Sequence, residues 1–95
     1  MAEKLPQYIR QFNGCCVLIQ MQLARVGETY DVRENCRRAM AAGKLKQDDV
    51  DFIMSFLDMK ARLDAGESLD EVEVRAAVPR IQMIVASNLN CADSA

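Results

Sequence analysis

The sequence predicts an all-α protein with a small four-helix bundle-like domain. Of its 95 residues, 51% are apolar and only 5% aromatic, with four Gly and two Pro. Leu, Met and Ala favour helices, whereas Gly and Pro interrupt them. Apolar side chains also recur at the three- and four-residue spacing of a helix face. Because the chain has the length of one domain, we expect a single helical domain over residues 1–95, with residues 1–4 and 92–95 frayed.

Glycine marks the end of each predicted segment but the last. Glycine is common at or just after the last turn of a helix. Gly27, Gly43 and Gly66 each follow an apolar-periodic segment. We therefore predict helices over residues 6–26, 31–42, 48–65 and 69–90.

Start signals support these four segments. Proline suits the first helical turn, and acidic residues suit the positive end of the helix dipole. A capping box places Ser, Thr or Asp three residues before Glu. The start signals are Pro6, the D-x-x-E box Asp31–Glu34, the pair Asp48 and Asp49, and the S-x-x-E box Ser68–Glu71.

Two sequence features could interrupt the helices. Asn13–Gly14 is a hairpin turn signal between strands, but the apolar spacing continues through it, so we predict an uninterrupted helix. Pro79 lies inside the last segment and removes one helical hydrogen bond. The last helix is therefore predicted to be kinked at Pro79, or broken there with a fifth helix beyond it.

The first helix has apolar side chains on two sides. A seam for the core alternates spacings of three and four: Ile9, Phe12, Cys16, Ile19, Leu23 and Val26. Gly14, Val17, Leu18 and Met21 form a second stripe at i, i+3, i+4 and i+7, where solvent-facing residues are expected. Gly14 would allow another backbone to approach closely.

The third helix also carries two apolar stripes beside one narrow polar face. One stripe holds Val50, Ile53, Met54, Leu57 and Ala61, and the other holds Phe52, Phe56, Met59 and Leu63. A surface helix ordinarily shows one apolar stripe. The pattern leaves open which of these two stripes faces outward. The candidate protein-interface residues are Gly14, Val17, Leu18, Met21, Phe52, Phe56, Met59 and Leu63.

The surplus of apolar surface favours an assembly. Monomers rarely expose large apolar patches, and symmetric homodimers are the commonest assembly. We expect a homodimer, a complex with another protein, or both. The alternative is a compact monomer in which the loops bring neighbours over both stripes.

The composition argues against catalysis. Histidine, the commonest general base, is absent. The four cysteines, at 15, 16, 36 and 91, have neither zinc-ligand nor redox C-x-x-C spacing, and we interpret them as free thiols. The acidic residues at 48, 49 and 51 do not match a calcium loop and suit a helix start. We predict no enzymatic activity, no cofactor, no metal and no small-molecule substrate.

Charge is unevenly distributed along the chain, although the net charge is only −2. Residues 25–46 contain six basic and three acidic residues, whereas residues 47–73 contain two basic and nine acidic residues. Arg33, Arg37, Arg38, Lys44 and Lys46 form a candidate basic patch. A helix-turn-helix at Gly43 would present the acidic start of the third helix to phosphates, which argues against direct DNA reading.

These observations together predict a non-catalytic helical regulator of bacterial or phage origin that dimerises or binds a partner protein. We favour an inhibitor or antiactivator, for example of a transcription regulator. The alternatives are a nucleic-acid-binding regulator that uses the basic patch, and a secretion chaperone or structural subunit of a larger assembly. No apolar run is long enough to span a bilayer and no signal peptide is evident, so a cytoplasmic protein without membrane association is expected.

Overall fold

The computed structural model describes residues 6–89, which form an all-α bundle. Its elements are α1 (Gln7–Gly27), α2 (Val32–Ala41), α3 (Gln47–Asp64), α4 (Glu71–Ile84) and a π-helical turn (Val85–Leu89). The predicted fold class is confirmed, and the bounds of the first three helices agree within one residue. The frayed ends predicted at residues 1–4 and 92–95 lie outside the described residues.

Local backbone and side-chain signals explain where α1 and α2 begin and end. Helix α1 ends before Glu28, which has a left-handed φ of +62°. The carbonyl oxygen of Pro6 accepts from the backbone N–H groups of Ile9 and Arg10 at 3.0 and 3.1 Å. The Asp31 carboxylate caps α2 by accepting from Arg33 N at 2.9 Å. After α2, Gly43 has φ +77°, which a residue with a Cβ adopts only at a steric cost.

The start of α4 corrects the sequence prediction. Asp70 is its N-cap, with Oδ1 accepting from Val72 N at 3.0 Å, so the helix begins at Glu71 rather than at the predicted Ser68 box. Ser and Asp side chains can both cap a helix. Asp70, which is closer than Ser68 to the first buried side chain, Val74, is the residue that caps α4. The helix continues through Pro79, and the proposed fifth helix starting there is wrong.

Helix α1 is the centre of the bundle, since it packs against α2, α3, α4 and the π-helical turn. Its seam is buried as predicted, apart from Val26, which is half-buried. The rings of Phe12 and Phe56 meet with their centroids 4.8 Å apart and join α1 to α3. The other large side chains with full burial are Ile19, Leu23, Ile53, Val74, Ile81 and Leu89.

Candidate protein-interaction surfaces

The outer face of α1 (Gly14, Val17 and Met21) is open to solvent as the sequence predicted. Val17 and Met21 are 58% and 59% exposed, which is high for large apolar side chains. A Cβ at Gly14 would have no neighbour within 4 Å beyond the backbone of its own helix, so the space in which a side chain would lie is open. The fourth predicted member, Leu18, is half-buried and packs against the core.

The candidate stripe on α3 faces inward and requires a correction. Phe56 is 0% exposed and Met59 5% exposed, so neither belongs to a free surface. Leu63 is half-buried against the core. Phe52 lies at the boundary with α4, where the guanidinium carbon of Arg80 is 4.3 Å from its ring centroid. The stripe is covered because α3 packs against both α1 and α4.

The other apolar stripe of α3 contributes to an open groove against α2. This α2–α3 groove has a volume of about 320 Å³. Its floor is apolar and its rim is polar and basic: Cys36, Met40, Val50 and Met54 lie on the floor, and Arg33, Arg37 and Gln47 on the rim. Met40, Val50 and Met54 are half-buried, so they retain surface that a ligand could cover. Flexible methionine side chains suit such an adaptable binding surface.

The predicted basic patch does not act as one cluster of free charges. Arg37 and Arg38 both donate to the carboxylate of Glu34, with Arg38 Nε 2.9 Å from Oε2. The hydrogen bonds from Arg37 and then Arg38 lower the pKa of Glu34 to about 2, so this carboxylate stays ionised at neutral pH. The anion offsets part of the positive charge that a phosphate backbone would meet.

The remaining basic residues are divided between the groove and the helix ends. Arg33 is exposed on the rim of the α2–α3 groove. Arg38 is structural as well, because its Nη1 donates to the carbonyl of Gly27 at 2.7 Å. Lys46 is the N-cap residue of α3, where its backbone N–H donates to Asp49 Oδ2 at 3.2 Å, and Lys44 is half-buried two residues before it. Arg33 and Arg37 are thus the members of the patch that the structure brings to the groove.

A buried polar contact that sequence reasoning missed holds the α1–α2 turn. Asn35 is only 2% exposed; its Oδ1 accepts from Thr29 Oγ1 at 2.6 Å, and its Nδ2 donates to Thr29 O at 3.0 Å. Gly27 lies against Asn35, and a Cβ at Gly27 would be 2.6 Å from the Asn35 Cα. The sequence did contain a sign of this contact, because Asn35 follows Val32 by three residues and so lies on the inward face of α2.

Three cysteine thiols are free and buried. They belong to the hydrophobic core and do not form a reactive site. Cys15, Cys16 and Cys36 are at most 5% exposed. Burial raises the pKa of all three and brings that of Cys16 to about 12. The thiolate is the nucleophilic form, so burial suppresses reactivity. The fourth, Cys91, lies outside the described residues.

We expect these thiols to resist an aromatic disulfide reagent in the folded protein. A Cys91→Ser variant isolates the three, and chromophore release at mildly alkaline pH should be slow until urea exposes them. Because the folded pKa exceeds the unfolded one, raising the pH above about 9 should also lower the free energy of unfolding. Fast release from the folded variant would contradict the burial of these side chains.

Comparisons with protein-family models, curated proteins and solved structures give no match for this chain. Within residues 6–89, no three His, Cys, Asp or Glu side chains lie together in an arrangement that could hold a metal ion. None of the described helices is both long enough and apolar enough to cross a bilayer. A functional assignment therefore depends on the geometry of the two surfaces, the outer face of α1 and the α2–α3 groove.

Proposed function

We propose that this chain is a non-catalytic protein-interaction regulator that binds an acidic helical segment of a partner protein in the α2–α3 groove. The observation that carries this proposal is the combination of an apolar floor with the exposed guanidinium of Arg33 on the rim. Arg37 beside it is paired with Glu34. An amphipathic helix buries its apolar face in such a groove, and complementary charges at the rim set its orientation. Val50 and Met54, four residues apart on α3, would contact the apolar face of the bound helix.

The proposed mode of action is occupation of the partner's surface. Such binding would make the chain an inhibitor or antiactivator, for example of a transcription regulator. The outer face of α1 is separate from the groove, and we propose that it supports a homodimer. The proposed setting is the bacterial cytoplasm, in the host or during phage infection.

The test is affinity capture from the source cell with groove variants. Met54→Glu places a charge on the floor, and Arg33→Glu reverses a rim charge that faces the acidic segment. We expect both to reduce recovery of the partner at least ~10-fold, because desolvating an unpaired charge and repelling a like charge each oppose binding. Arg25→Glu is the matched control, since Arg25 is exposed near the end of α1 and contacts Gln22.

Each outcome of the capture experiment has a defined meaning. Helical circular dichroism must be retained by every variant, because Met54 also packs against the core. Recovery that is unchanged in both groove variants would overturn the proposal. Recovery of a stable complex in which the partner's activity is unchanged would favour the structural-subunit or chaperone alternative. Binding of duplex DNA that weakens with salt and with Arg33→Glu would favour the nucleic-acid alternative.

A further inference from the structure

The outer face of α1 belongs to a longer stripe whose chemistry is complementary to itself. Positions 10, 14, 17, 21 and 24 of α1 alternate spacings of four and three and fall within about 80° of one another around the helix axis. Position 28 continues the spacing just beyond the helix end, where Glu28 is the C-cap with φ +62°. In chain order this outer stripe comprises Arg10, Gly14, Val17, Met21, Ala24 and Glu28. All are exposed except Ala24, which is half-buried. The stripe lies on the side of α1 away from the core seam.

The order of side chains along the outer stripe is symmetric about position 19. The first half of the series is basic, small and apolar (Arg10, Gly14 and Val17). The second half is apolar, small and acidic (Met21, Ala24 and Glu28). When two identical helices pack antiparallel around a two-fold axis at that position, each residue meets its counterpart in the series. Val17 then meets Met21 of the partner subunit, and Gly14 meets Ala24 of the partner subunit. At each end Arg10 meets Glu28 of the partner subunit.

We propose that two copies of this chain pair through α1 in this antiparallel register. The apolar centre removes Val17 and Met21 from water, which is the favourable term for association. Gly14 and Ala24 lack bulky side chains, so the two backbones can approach closely between the apolar centre and the charged ends. Arg10 and Glu28 form two symmetry-related ion pairs, which favour the antiparallel over the parallel arrangement because a parallel pair would place like charges together.

This inference rests on the homodimer in the proposed function and adds its orientation and contacts. It uses a surface distinct from the α2–α3 groove, so the two surfaces can be tested separately. The binding partner is a second copy of the chain, because the outer stripe supplies both members of every contact. A foreign helix would have to carry the same ordered series of charge, small and apolar side chains.

A charge-swap experiment tests the register. Arg10→Glu alone and Glu28→Arg alone each turn both ion pairs into like-charge pairs, and each should weaken dimerisation ~10-fold. The double variant Arg10→Glu/Glu28→Arg restores opposite charges and should return the affinity to that of the unmodified chain. Sedimentation equilibrium over a concentration series measures all of these against the chain mass of 10.7 kDa.

Two further variants distinguish this register from a dimer held by a different surface. Arg33→Glu makes the same charge change on the groove rim and should leave dimerisation unchanged. Met21→Glu should give a monomer with unaltered helical circular dichroism, since Met21 is 59% exposed. A monomer for the unmodified chain at high micromolar concentration would overturn the homodimer itself. A dimer that the single reversals do not weaken, or that the double variant does not restore, would overturn this register alone.

Discussion

Replacing Phe56 with alanine is expected to lower the free energy of unfolding by about 3–5 kcal/mol. The side chain is 0% exposed, and its ring lies 4.8 Å from that of Phe12, so truncation leaves a cavity between α1 and α3. Small domains are stable by only about 5–15 kcal/mol, so the loss should shift the unfolding midpoint strongly. Urea titration followed by helical circular dichroism measures it.

Phe52→Ala is the matched control on the same helix. Phe52 is half-buried, with one face of its ring under the Arg80 guanidinium, so truncation removes less buried area and the cation–π contact. We expect a loss of about 1–2 kcal/mol, well below that of Phe56→Ala. Equal losses in the two variants would contradict the placement of Phe56 in the core. A smaller loss for Phe56→Ala would return the α3 stripe to the candidate interface.

Gly27→Ala is the second large effect we expect, a loss of about 3 kcal/mol in the free energy of unfolding. The new Cβ would lie 2.6 Å from the Asn35 Cα, so relief requires α1 and α2 to move apart. Movement of Asn35 would also weaken its hydrogen bonds to Thr29, at the part-buried α1–α2 turn. Thermal and urea unfolding of the variant measure the loss.

Gly14→Ala supplies the control for this second prediction. Its Cβ would have no neighbour within 4 Å, so only the higher helix propensity of alanine acts, and a gain of about 1 kcal/mol is expected in the monomer. Opposite signs for the two glycine variants would confirm that Gly27 marks a tight helix contact and Gly14 an open surface. A neutral Gly27→Ala would show that α1 and α2 can separate at this contact without a measurable cost.

Local signals in the sequence were sufficient for most of the helix bounds. Capping and chain reversal depend on neighbouring residues, as with Asp31 at the start of α2 and Gly43 after its end. The start of α4 was mispredicted because Ser68 and Asp70 both carry an oxygen that can accept from a first-turn N–H. Continuity through Pro79 was also left open, since a local signal does not show how much the packing of Val78 and Ile81 stabilises the helix.

The candidate surfaces were predictable only in part. Exposure of Val17 and Met21 followed from their position opposite a well-defined core seam. On α3 the two apolar stripes adjoin, and their order could not show which one would lie against α1 and α4. Asn35 was missed because its partner, Thr29, lies in a turn whose path depends on how α2 docks against α1.

The sequence by itself determined that this chain is helical, where three of its helices lie, and that α1 carries apolar side chains on opposite sides. Those properties depend on residue propensity and on angles about each helix's own axis. The tertiary structure decided that α3 buries Phe56 and Met59 and presents Val50 and Met54 to a groove beside Arg33 and Arg37. The physical reason is that a helical pattern measures rotation about one axis, whereas burial depends on where the neighbouring helices lie around it.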